Sequence, residues 1–143
     1  MISFTAYDVK IPRFKRRTVS KWIKIVGEKF NKRLGQIDFI YCSDIKILEI
    51  NQKFLSHDYY TDVITFDYSS KEIISGDVFI SLDTVSSNAD KYNVQFQHEL
   101  FRVMIHGILH LCGVNDKTNK MRQEMRKAEN EMLNILSALK TVK

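Results

Sequence analysis

The sequence predicts a single α+β (α/β) domain: one mixed, mostly four-stranded sheet with about five helices, one of them buried at the centre and carrying a metal site. Three observations predict it. The chain has 143 residues, enough for one core and too few for two. Its segments read β, α, β, α, β, β and then helices to the end. One helical segment, near residues 95–112, is apolar almost all round.

The elements follow in order. ISFTAYDV (2–9) reads as a strand closed off by Pro12. An amphipathic helix is expected over about 18–33, capped by Thr18 or Ser20, with Gly35 just past its end. QIDFIYC (36–42) is a second strand. Ser43 then caps a helix over 44–55, in which Ile47, Leu48, Ile50, Phe54 and Leu55 recur near the 3.6 period. TDVITFDY (61–68) and GDVFISL (76–82) are strands separated by a polar turn at Ser69–Glu72, and their successive apolar residues predict cover on both faces. From about 83 the pattern is helical, with a break near Gly113–Asn115 and Thr118 capping the last helix. That helix presents Met121, Met125, Ala128, Met132, Ile135 and Leu139 on one side, a stripe read as core packing.

Composition narrows the function. Hydrophobic residues at 44% and charged residues at 27% exclude a disordered or fibrous chain. No apolar run approaches the length of a membrane span, and the N-terminus lacks a secretory pattern, so a cytoplasmic protein without a membrane partner is expected. Cys42 and Cys112 form no CxxC pair, which argues against cysteine-held zinc and redox chemistry. Residues 10–33 hold ten Lys or Arg against one acid, more positive charge than the whole chain's net +5, so the basic character is local. Arg13, Lys15, Arg16, Arg17, Lys21 and Lys24 are therefore candidates to meet the phosphates of a polyanion. The alternative is a solvated helix face. Phe14, Trp22 and Phe30, interleaved with the basic residues, read either as platforms for bases or as core contacts.

The segment QFQHELFRVMIHGILHLC carries the chemistry. At 100° per residue, Glu99, Arg102, His106 and His110 fall in one narrow stripe on an otherwise apolar helix. A polar stripe on a buried helix must face a cleft or a partner. His106 and His110 stand one turn apart and can lean onto one cation; the bland alternative is a pair of hydrogen-bonded core histidines. Gly113 can turn the chain back so that Asp116 supplies a third donor, leaving a coordination position open as in catalytic sites. Gly107 clears space beside the ligands for a substrate backbone. Cys112 points away from the stripe. The HExxH pattern of many metallohydrolases is absent, because Gly107 follows the first histidine, and no general base is identified. Glu99 and Arg102 are the candidate catalytic residues, with Glu99 read first as an ion-pair mate of Arg102 and second as a base. Asp62 and Asp77, at strand starts, read as turn or cap acids.

HGILHLCGVND (106–116) resembles the HGxLHLxGYDH signature of the YbeY-type bacterial endoribonucleases, and TDVITF (61–66) and GDVFIS (76–81) resemble that family's TDVLSF and GDIxI segments in the same order. The resemblance spans nearly the whole chain. It implies a zinc-bound α/β domain, with manganese or another divalent ion as a substitute, that cleaves single-stranded RNA and not DNA. It further implies action on the 3′ end of the 16S ribosomal RNA precursor in association with the small ribosomal subunit and its proteins. Two positions depart from the pattern. Asp116 stands where the family has a third histidine, with Asn115 before it in place of Asp. Leu55 stands where the family commonly has an arginine, for which His57, Lys53 or Arg102 are the nearby substitutes. Two further classes stay open beside the endoribonuclease: an RNA-binding ribosome-assembly factor with a structural metal, and a metallohydrolase of small substrates, which the basic segment disfavours.

Overall fold

The computed structural model describes residues 1–55 and 61–141. Four strands, β1 (Ile2–Ala6), β2 (Arg33–Cys42), β3 (Val63–Asp67) and β4 (Ile73–Ser81), form one sheet in the order β1-β2-β4-β3. The first two pairings are parallel and β3 runs antiparallel to β4. Among the described residues five helices join the sheet: α1 (Arg16–Lys29), α2 (Asp44–Leu55), α3 (Leu82–Tyr92), α4 (Phe96–Leu111) and α5 (Asn119–Thr141). This is the α+β architecture expected from the element order.

Strand alternation sorts the side chains between two unequal faces. Phe4, Ile37, Phe39, Tyr41, Ile74, Val78 and Ile80 point to the side covered by α1, α4 and α5, where Phe4 and Phe39 stack at 5.6 Å. On the other side α2 lays Ile47 and Ile50 over Ile64, Phe66 and Phe79. Both faces of β3 and β4 are thus covered, as their unbroken apolar runs predict. The parallel β1–β2 end on that second side carries Ser3, Gln36 and Asp38 joined by hydrogen bonds. Trp22 is fully buried and donates its indole N–H to the Met132 carbonyl at 2.7 Å, while Phe14 packs against Phe4, Tyr41 and Phe101. Trp22 is a core contact, and Phe14 and Phe30 pack against the same core while staying half-buried.

Several boundaries shift for local reasons. α1 starts at Arg16 after Lys15, with no side-chain cap, so neither Thr18 nor Ser20 caps it. It ends at Lys29 because Asn31 takes the left-handed conformation (φ 58°), and Gly35 lies inside β2. The helical pattern expected from 83 up to the break near Gly113 divides at Asn93, also left-handed (φ 54°), which caps α3 before α4 begins. Ser43 and Thr118 cap as expected, accepting from the backbone N–H of Lys46 and Met121. In α5 the stripe is buried at Met125 and Met132 and half-buried at Ala128, Ile135 and Leu139, whereas Met121 is exposed, and Leu133 and Leu136 are buried beside it.

α4 is buried on nearly every side and crosses under β3 and β4. A methyl group at Gly107 would lie 2.8 Å from Val78 Cγ1 and 3.3 Å from Thr65 Oγ1. Gly107 therefore lets the helix approach the sheet; it does not open space for substrate. In a free helix Gly→Ala gains about 1 kcal/mol, but here the overpacking against a stiff β-branched neighbour costs about 1–3 kcal/mol. Gly107→Ala is expected to lower stability by about 1 kcal/mol in urea unfolding, and a gain instead would overturn this reading of the contact.

Candidate metal centre

The C-terminal half of α4 and the loop after it build the centre. His106 and His110, one turn apart, direct their Nε2 atoms toward each other at 3.0 Å, with the rings at 82°. The helix ends where Gly113 adopts φ 98°, its N–H bonding the His110 carbonyl and the Val114 N–H bonding that of Leu109. This reversal returns Asp116, whose Oδ2 lies 3.5 Å from His106 Nε2 and 3.3 Å from His110 Nε2. The loop is held beyond that point too, since Asn115 accepts from the Lys117 N–H and Arg122 donates to the Asp116 and Lys117 carbonyls. The structure brings together the three side chains named from the sequence, His106 and His110 by their helical spacing and Asp116 by the glycine that stops the helix.

Their separations fit a first-row divalent ion. Ligands about 2.1 Å from a tetrahedral centre stand about 3.4 Å apart, and the observed values are 3.0, 3.3 and 3.5 Å. These are among the described residues the group of His, Cys, Asp or Glu side chains able to hold a metal ion. Burial, reinforced by the neighbouring His106, holds the His110 ring below the usual histidine value and so favours the neutral, ligating form.

Behind the donors lies a network that sequence periodicity only half reveals. His106 Nδ1 stands 2.6 Å from Glu129 Oε2, which assigns the proton to Nδ1 and leaves the Nε2 lone pair facing the site. The other Glu129 oxygen accepts from Arg102 at 3.0 Å. Arg102 also donates to both oxygens of Glu99, at 2.5 and 2.8 Å, and to Asp62 at 3.4 Å. Burial would lower the basicity of Arg102, but Glu99 and Glu129 outweigh it and hold the guanidinium firmly charged. Glu129 likewise stays below the usual glutamate value: His106 and Arg102 more than offset the burial that would raise it. Asp62, Glu99 and Glu129 thus converge on the Arg102 guanidinium, with Arg126 also meeting Glu129 at 3.7 Å, while the Asp116 carboxylate faces the two histidines.

Glu99 and Arg102, the candidate catalytic pair, are both buried, and each spends its polar atoms inside this network. The sequence signal for Glu129 is its place between Met125 and Met132 on the apolar stripe of α5, where a charged residue needs a buried partner. In front of His106, His110 and Asp116 is an open cleft of about 510 Å³ whose far wall is β3 and the residues just before it, including Asp62, Thr65 and Asp67. Asp77 lies elsewhere, bonded to Tyr68. Cys112 sits outside the cluster, half-buried. Of the substitutes for the arginine missing at Leu55, Arg102 is committed inward and Lys53 lies over the Phe54 ring, while His57 lies outside the described residues.

A sequence model of the family described as endoribonuclease YbeY matches residues 1–137. The chain belongs to the YbeY family. Curated relatives named endoribonuclease YbeY include those of Parabacteroides distasonis and Phocaeicola vulgatus, each 53% identical to this chain. The first match covers 94% of this chain and 95% of the relative, the second 96% and 99%. The YbeY relative from Bacteroides thetaiotaomicron is 52% identical over 92% of this chain and 96% of its own length. Among solved structures, a Thermotoga maritima protein determined in solution superposes with a TM-score of 0.64 at 27% identity, covering 96% of this chain and 93% of that one. The match to the family model spans the stretch from α4 into α5 that carries His106, His110, Asp116 and Glu129. No described helix is long and apolar enough to cross a membrane.

Proposed function

We propose that the chain is a metal-dependent endoribonuclease that hydrolyses phosphodiester bonds in unpaired RNA, with zinc as its ion and manganese as a substitute. The observation that carries the reading is the three-donor centre opening onto a cleft, since a structural site would close its fourth position with protein. His106, His110 and Asp116 would hold the ion, which when bound acidifies a water and polarises a phosphoryl oxygen. The chain's own groups do the rest: Glu129 fixes the tautomer of His106, and Arg102 holds Glu129 in place. The cleft is lined by carboxylates, so the cationic attraction for RNA must come from elsewhere. Arg13, Lys15, Arg16, Arg17, Lys21 and Lys24, all exposed, are assigned to that contact. Maturation of the 16S ribosomal RNA precursor on the small ribosomal subunit, in the cytoplasm, is the role we propose for this activity. The test is cleavage of an unpaired RNA by purified protein after chelation and after zinc is restored: activity should vanish and return, with a duplex left intact. RNA binding without cleavage at full zinc occupancy would instead identify an assembly factor with a structural metal.

Asp116 bears on which metal is held. A carboxylate is a harder donor than imidazole and weakens discrimination against manganese. Asp116→His is expected to shift competition titrations toward zinc by about tenfold or more, and an unchanged preference would remove Asp116 from the ligand set.

A further inference from the structure

At the other end of α4 the chain forms a second hollow, of about 850 Å³, between the start of α1, the first turns of α4 and the end of α5. Its floor includes Phe14, Phe101 and Leu139, and its cations are Arg13, Lys15 and Lys140. Among the described residues no carboxylate lines it, nor the adjoining depression of about 210 Å³ that shares Phe101 and Lys140 and adds His98. Lys140 Nζ lies 4.5 Å above the Phe101 ring. Among the described residues none of the three cations has a carboxylate partner, whereas Lys46, Arg102 and Arg126 each do. Three uncompensated charges around an apolar floor focus a positive potential into the hollow.

A ligand that suits it joins a flat apolar body to concentrated negative charge. A duplex hides its bases, and an acidic peptide side chain has charge without the flat body. We infer that this groove seats one unpaired nucleotide of an RNA strand, with the base against Phe14 and Leu139 and its phosphate among Arg13, Lys15 and Lys140. The inference rests on the reading of the chain as an RNA-cleaving protein and names the place where it grips its substrate. Gln97 at the groove and His106 at the centre are nine residues apart on α4, about 14 Å along the axis. The groove is therefore an anchor remote from the bond being cut, and its loss should act on KM and not on kcat.

The test uses the full chain and a labelled 2′-O-methyl oligouridylate of about ten nucleotides, within the site sizes of single-strand binders. Lys140→Glu and Arg13→Glu, both at exposed positions, should each weaken binding about tenfold and lower the slope of log K against log salt by about 0.7. An oligomer of abasic riboses should bind the wild-type protein about tenfold more weakly. Both variants should raise KM for an unmodified RNA while keeping kcat. Unchanged affinity in Lys140→Glu would overturn the groove, and equal binding of the abasic oligomer would overturn the seat for a base. Displacement of the RNA by polyglutamate at equal charge would reduce the groove to a general anion site and overturn the assignment. If the wild-type protein neither binds nor cleaves RNA, the functional reading itself fails; if it cleaves RNA while the variants keep its KM, the groove alone does.

Discussion

His110→Ala is expected to take the metal content of the purified protein from one ion per chain to near zero, and RNA hydrolysis down by about a thousandfold or more. The magnitude follows from the several kcal/mol of charge stabilisation a bound ion supplies to a phosphoryl transition state, with each 1.36 kcal/mol worth a factor of ten. His110 is the cleaner of the two histidines to remove. Its side chain is 31% exposed and meets His106, Asp116 and the Val114 backbone, none of which is a carboxylate or guanidinium of the buried network, so truncation leaves that network intact. His106→Ala would in addition strip one buried Glu129 oxygen of its partner and confuse lost metal with lost stability. The fold of His110→Ala should be preserved by circular dichroism, and stoichiometric zinc in that variant would show that the centre lies elsewhere.

Two substitutions at Glu129 should separate the stability of the network from its effect on the metal. Glu129→Ala removes one oxygen from Arg102 and one from His106 inside the core, where breaking a buried charge pair costs about 3–5 kcal/mol. A domain of this size should then melt about 10–20 °C lower. Glu129→Gln keeps the shape and one acceptor. Arg102 can only donate, so the amide oxygen must stay with it and the NH2 must face His106 Nδ1. The imidazole then accepts at Nδ1 and carries its proton on Nε2, the atom that faces His110 and Asp116. Metal affinity should fall about 10- to 100-fold with a much smaller loss of stability than in Glu129→Ala. Equal metal affinity in wild type and Glu129→Gln would mean that Glu129 only packs and does not set the tautomer.

Much of this protein is determined by local sequence. The order of strands and helices follows from their periods, and α2 keeps the limits its apolar spacing predicts. The candidate metal cluster is local as well: His106 and His110 share a helix face by the 3.6 period, and the glycine that stops the helix sits three residues before Asp116. Within one helix and one tight turn, relative placement is set by backbone geometry alone. What the tertiary structure decided joins residues far apart in the chain. Glu129 meets His106 from 23 positions away, Asp62 meets Arg102 from 40, and Gly107 proves to be a packing contact with Val78 and Thr65. The three cations of the groove come from either side of a chain segment more than a hundred residues long. Such contacts depend on how α4 and α5 pack against each other and against the sheet. That packing is the sum of many weak non-local interactions, and no period in the sequence encodes it.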